Sequence, residues 1–195
     1  MSHLHIKSEI RILGIDDSAL IDQKITIIGA FFRGGLWLDG VLSSKITRDG
    51  MDATHVIISM IKSSKHYGQI RALILDGITY AGFNPVDIVA IYQETKLPVI
   101  VYMRKYPDFK KIKLALNHFS DGNERYKIIE KAGIVSPICV NESSPEIFIQ
   151  RTGISLNDAK DIIQLTSTRG NVPEPLRVAH LIATGIVCGE SRGKS

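Results

Sequence analysis

Two apolar runs that each end on an aspartate constrain this chain most. They are Arg11–Asp17 (RILGIDD) and Arg71–Gly77 (RALILDG). Ala72-Leu73-Ile74-Leu75 is continuously apolar and reads as a strand covered on both faces. A carboxylate at the lip of such a strand is costly unless a cation, a hydrogen-bonding loop or a helix N-terminus compensates it. Two such aspartates, Asp16 and Asp76, meeting at one end of a sheet would form a site for a hard cation.

The chain has 195 residues, 44% of them hydrophobic, which suits one soluble α/β domain spanning 1–195. No apolar run approaches the roughly 20 residues that span a bilayer, and the first twelve residues lack a signal-peptide pattern. A membrane partner is not expected. Cys139 and Cys188 are far apart, in apolar contexts and without CxxC spacing. They are expected to be buried thiols of a cytoplasmic protein. The net charge is only +4, but Arg104–Lys105 and Lys110-Lys111-x-Lys113 concentrate it. Such clusters suit either a phosphate backbone or a solvated helix face.

Ile10–Ile15, Lys24–Phe32 and Leu36–Lys45 read as three strands with short links, the last two joined across Arg33-Gly34-Gly35. A helix opens at Asp52, the expected cap, with Val56, Ile57, Met60 and Ile61 at helical spacing. Arg71–Asp76, a helix from Pro85 to about Glu94, and the strand Leu97–Met103 make a β-α-β unit with parallel strands. Helices are predicted over 108–117, 122–132, Ser155–Thr168 and Glu174–Val187, with 189–195 a polar tail. Ile138–Asn141 and Glu146–Gln150 are candidate short strands outside the main sheet. Three antiparallel strands followed by two parallel ones is the order of a ribonuclease H-like fold, a five-stranded mixed sheet flanked by helices. That order sets the strands ending at Asp16 and Asp76 side by side.

Four segments carry a family resemblance: ILGIDDS, LWLDGVLS, LILDGITYAGFNP and VPEPLRVAHLIA. Together they resemble the archaeal endonuclease dU family, related to endonuclease V. The first and third look like that enzyme's metal-binding strand ends, the second like PYIPGFLS with its strand-separating wedge, the last like the helix LPEPTRLAHRLA. The resemblance implies an Mg²⁺-dependent (or Mn²⁺-dependent) endonuclease acting on DNA that contains a damaged base, with deoxyuridine favoured. Asp16 and Asp76 would be catalytic metal ligands, and Trp37 would stand where the wedge tyrosine stands.

Two departures accompany it. The family glutamate in GFLSFRE falls on Ile46, so Asp49 is the candidate third ligand and catalytic acid, its alternative being an Asp-Gly turn. No histidine precedes the helix at Ser155, so Asp158 becomes a candidate fourth metal ligand, its alternative being part of a helix cap. Asp17, next to Asp16, should face the other way and bond a loop. Gly77, Tyr80 and Lys105 are candidate nucleic-acid contacts, as backbone approach, stacking platform and phosphate ligand respectively, and each also fits ordinary loop or surface chemistry. The rival reading is a non-catalytic nucleic-acid-binding protein on the same scaffold.

Overall fold

A mixed sheet of seven strands, in the spatial order β3-β2-β1-β4-β7-β9-β8, organises the chain. The structure is a computed structural model that describes residues 5–141 and 145–191. The strands are β1 Arg11–Asp17, β2 Lys24–Arg33, β3 Trp37–Thr47, β4 Ala72–Asp76, β7 Val99–Met103, β8 Ser136–Ile138 and β9 Ile147–Thr152. Two-residue strands β5 (Thr79–Tyr80) and β6 (Asn84–Pro85) pair with each other in the loop after β4. The helices are α1 Ala53–Lys62, α2 Ile88–Thr95, α3 Phe109–Leu116, α4 Gly122–Lys131, α5 Leu156–Thr166 and α6 Glu174–Cys188. Among the described residues no helix is long and apolar enough to cross a membrane.

The expected core of the sheet is present. Strands β1 and β2 are antiparallel, as are β2 and β3, while β1, β4 and β7 run parallel. The number of strands is corrected from five to seven. β9 adds antiparallel to β7, and β8 adds to β9, so the two segments expected outside the sheet extend it. The helix expected from Pro85 starts later. Pro85 belongs to β6, and Asp87 caps α2 by accepting the Ala90 N–H at 2.9 Å. Of the predicted tail, Ser191 bonds back to the Leu181 carbonyl at 2.9 Å, and 192–195 lie outside the described residues.

Side chains alternate across the sheet, so each strand feeds two cores. Leu13, Ile15, Leu73, Leu75, Val99 and Val101 pack with α1 and α2 on one face. Ile12, Ile74, Ile100 and Tyr102 pack with α5 on the other, where Ile28 and Ala30 meet Ala179 and Ala183 of α6.

Gly14 sets how closely α6 approaches β1. A Cβ at this position would lie 2.4 Å from the Pro175 carbonyl carbon and 2.7 Å from its oxygen. These are backbone atoms that cannot rotate away. Gly14→Ala should therefore lift the start of α6 and destabilise the protein by about 2–3 kcal/mol, as overpacking does. A denaturant midpoint equal to that of the parent would contradict this close-approach role.

Candidate metal and nuclease site

β1 and β4 are in register from Ile12↔Ala72 to Ile15↔Leu75. The next residue on each is the aspartate, so the Cα atoms of Asp16 and Asp76 sit about 5 Å apart on neighbouring strands. Period-two alternation puts both carboxylates on the face covered by α6. The expected adjacency is therefore present, and its cause is register.

α6 brings a third group that sequence reasoning did not assign. His180 Nδ1 lies 2.9 Å from Asp16 Oδ2. Along α6, five residues from Pro175 to His180 rise about 7.5 Å, and along β1 two residues from Gly14 to Asp16 rise about 7 Å. The contact at Gly14 thus delivers His180 to Asp16. An ionised Asp16 can only accept, so the ring donates from Nδ1 to it. The other oxygen, Oδ1, accepts the Asp17 N–H at 2.8 Å. In the sequence His180 closes the phrase VPEPLRVAH, and Thr184 and Cys188 follow four and eight residues later on the same helix face, a pattern that any amphipathic helix also shows. These three side chains, with Asp16, Asp76 and Ser18, line a cleft of about 710 Å³.

The pair is electrostatically unsatisfied. Burial, then the neighbouring Asp16 carboxylate, push the Asp76 carboxyl up to about 7, against the opposing charges of Arg104 and His180. Arg104 extends β7 two residues past Tyr102, which pairs with Asp76, so the two side chains share a face. Lys105, the residue expected to meet phosphate, is exposed one position further on. Arg104 is the basic group that acts on the site.

Asp17 points to the opposite face and accepts the Ala81 N–H, as a loop-bonding residue should. Burial raises its carboxyl to about 6, with Asp16 adding to the effect and the Ala81 bond opposing it. Tyr80 is corrected from a stacking platform to a clamp. It is 1% exposed; its hydroxyl donates to the Ile15 carbonyl at 2.8 Å and accepts the Asp76 N–H at 3.0 Å. One phenol therefore ties together the strand ends that carry the carboxylates. Gly77 turns the chain out of β4 at φ 85°, which favours glycine, and donates its N–H to the Tyr102 carbonyl.

Asp49 does not join Asp16 and Asp76. It sits at φ 51°, and its carboxylate accepts the Phe83 N–H at 2.8 Å, on the face toward which Asp17 points. The turn alternative describes it. Asp52 occupies the N-cap position of α1 without capping; it accepts from Thr47 and Asn84 instead. Arg125 closes this assembly, donating to the Gly50 and Phe83 carbonyls from α4. Asp158 is further displaced. It lines a separate cavity of about 300 Å³ with Ile70, Arg71 and Lys96, at the amino ends of β4 and β7. Five strand residues separate that rim from Asp76, roughly 16 Å. Its own N–H is capped by Ser155 at 3.0 Å. Trp37 is 60% exposed, at the β2–β3 turn, where Arg33 pairs with Arg11 at the other end of β1 from Asp16. The cysteines also depart from expectation, Cys139 being exposed and Cys188 half-buried at the cleft.

Comparison with known proteins places this arrangement. The family model for endonuclease dU matches residues 8–187. The chain belongs to the endonuclease dU family. A UPF0215 protein of Methanosarcina barkeri is 66% identical, over 98% of this chain and 97% of that protein. Another relative of this endonuclease dU family member, a protein of unknown function from Archaeoglobus fulgidus, has a crystal structure with a TM-score of 0.83 and 40% identity, covering 90% of this chain and 97% of that one. The fold is also that of endonuclease V. The Ciona intestinalis enzyme, solved with a 24mer DNA containing an inosine followed by a ribo-adenosine, gives a TM-score of 0.61 at 12% identity, covering 92% and 86% of the two chains.

Among the described residues no three His, Cys, Asp or Glu side chains converge as a ready-made metal cage. Asp16 and Asp76 nevertheless fit Mg²⁺ by donor type, since that ion takes one or two carboxylates and completes its shell with water and substrate phosphate. Their mutual repulsion, visible in the raised Asp76 carboxyl, is the condition a bound cation would relieve.

Proposed function

We propose that this protein is a divalent-metal-dependent endonuclease that hydrolyses a phosphodiester bond in DNA near a deaminated base, deoxyuridine being the first candidate. The observation that carries the reading is the Asp16–Asp76 pair, adjacent on one face of a cleft, with Asp16 bonded to His180. Membership of the endonuclease dU family supports it, and so does the endonuclease V fold, a member of which has been solved with inosine-containing DNA.

Asp16 and Asp76 would hold Mg²⁺ or Mn²⁺, which when bound neutralises phosphate charge and lowers the pKa of an attacking water. The protein's own groups do the rest. His180 fixes the rotamer of Asp16, as an outer hydrogen bond orients a ligand. Tyr80 fixes the separation of the two strand ends. Arg104 places a permanent positive charge beside Asp76, where a phosphate oxygen can be met. The backbone between Gly77 and Phe83, the loop that follows Asp76, is held by Asp17, Asp49 and Arg125.

That no third carboxylate converges on the pair among the described residues favours the second reading, a nucleic-acid-binding protein without chemistry. One experiment separates them. Uracil-containing duplex is incubated with the protein and Mg²⁺ or Mn²⁺, with undamaged duplex and chelator as controls. Metal-dependent nicking of the uracil strand is expected. Binding without nicking under every metal condition would leave the second reading standing.

A further inference from the structure

The amino-terminal rim of the sheet carries a feature that the cleft does not explain. Arg33 of β2 pairs with Arg11 of β1, and the Arg71 N–H donates to the Arg11 carbonyl at 2.9 Å from the start of β4. Three arginines therefore stand side by side on adjacent strands. They follow the parity of Phe31, Leu13 and Leu73, so all three project to the same face. Like charges directly opposed across strands are destabilising.

Local acids only partly answer this rank. Asp39 takes Arg33 in a two-pronged pair at 3.2 and 3.0 Å. Arg71 Nη1 donates to the Gly68 and Ile70 carbonyls, which carry no net charge. Arg11 Nε is buried and has no hydrogen-bond partner among the described residues. Arg11 and Arg71 line a cavity of about 310 Å³ together with Lys7 and Glu9. Lys7, Arg11, Arg33 and Arg71 thus outnumber the acids beside them four to three, with Glu9 and Asp39 on this side and Asp158 in the neighbouring cavity that Arg71 also lines. Trp37 pairs with Arg33 and extends the same row with an exposed indole.

We infer that this rim is a second nucleic-acid contact, in which Arg11 and Arg71 take phosphates of the backbone and Trp37 lies against the strand. Arg11 is five β residues from Asp16, about 17 Å along the sheet, the length of about five base pairs. The contact would lengthen the footprint without reading sequence, since phosphate bonds position rather than specify. The choice of polyanion rests on the nuclease reading, but binding is scored without metal, so failure to cut does not count against it.

Trp37 is the only tryptophan, so fluorescence excited selectively in tryptophan, at wavelengths the six tyrosines do not absorb, reports this rim. Undamaged duplex of about 20 base pairs is titrated in chelator, across a salt series. Quenching is expected, with affinity falling steeply as salt rises. Combined Arg11→Gln and Arg71→Gln should weaken binding roughly tenfold near 0.1 M salt and reduce the logarithmic salt slope by about 1 to 2. Combined Arg11→Lys and Arg71→Lys, which keeps the charges, should retain the slope, and provides the comparison if the glutamine protein folds poorly. An unchanged slope in the glutamine protein, or a lost slope in a folded lysine protein, would overturn the inference. Saturation of the same signal by low millimolar inorganic phosphate would overturn it too, assigning the rim to free phosphate.

Discussion

Asp76→Asn should abolish nicking and, in metal-free buffer, raise the melting temperature. The two effects share one cause. A carboxylate at this position is pushed up to about 7 by burial and by Asp16, so its charged form is held against its preference. Asparagine keeps the shape and loses the charge. It relieves the repulsion and removes a ligand that Mg²⁺ requires. The expected loss of cleavage is at least about a thousandfold, on the order of 4 kcal/mol in barrier. The expected gain in stability at pH 7.5 is about 1–2 kcal/mol, allowing for the coupling to Asp16 and the partial exposure of the site. At this chain length that corresponds to roughly 2–8 °C. Nicking assays on uracil-containing duplex and melts in chelator check both arms. Retained cleavage would remove Asp76 from the chemistry, and a lower melting temperature would make it a structural residue instead.

The second large effect is a pH dependence that a divalent cation should erase. Asp17 and Asp76 have folded-state carboxyls at about 6 and about 7, above the ordinary 3.8. Between those limits the folded chain binds more protons than the unfolded one. Stability therefore falls as pH rises from about 4 through 7. Carboxylates held low, such as Asp52 by its bonds to Thr47 and Asn84 although burial opposes them, act in the other direction, and only below about pH 4. The window from pH 5 to 7.5 thus covers the titration of Asp17 and Asp76 and lies above that of ordinary carboxylates, and metal-free protein should lose about 2–4 kcal/mol across it. Saturating Mg²⁺ or Mn²⁺ offsets the repulsion only when the carboxylates are ionised. Metal should raise the melting temperature at pH 7.5 and have almost no effect at pH 5. Equal metal-induced shifts at the two pH values would place the cation elsewhere.

Asp16 and Asp76 could be found in the sequence because their signal is local. Each ends an apolar run, and strand order alone makes the runs neighbours. Asp49 and Asp158 depended on longer inferences. Asp49 stands beside a glycine in a segment that fits a ligand or a turn equally, and the Phe83 N–H that engages it is contributed by a distant loop. Asp158 failed through topology. With β9 outside the sheet, the following helix could start at either end. Once β9 pairs antiparallel to β7, with Val99 opposite Thr152, the chain leaves it at the amino rim and α5 must begin there. His180 was overlooked for another reason. A lone histidine on an amphipathic helix carries no spacing that marks chemistry, and its partner is 164 positions away in sequence. Tyr80 looked like an exposed aromatic because loops usually expose them, whereas its hydroxyl has two backbone partners that only the folded sheet provides.

Consecutive residues on β1 have opposite assignments. Asp16 turns toward His180, and Asp17 turns toward Ala81 on the other side of the sheet. Each carboxylate makes its side-chain hydrogen bond on its own side. Adding or deleting a single residue between Gly14 and Asp16 would exchange them, because every side chain past the change moves to the other face. Register with β4 would slip in the same step. The strand is therefore read in a fixed frame, and its length is less free to vary than its composition. Descendants of this fold can replace the loops around the cleft, or lengthen the β2–β3 turn, far more readily than they can change the count of residues between Gly14 and the carboxylates.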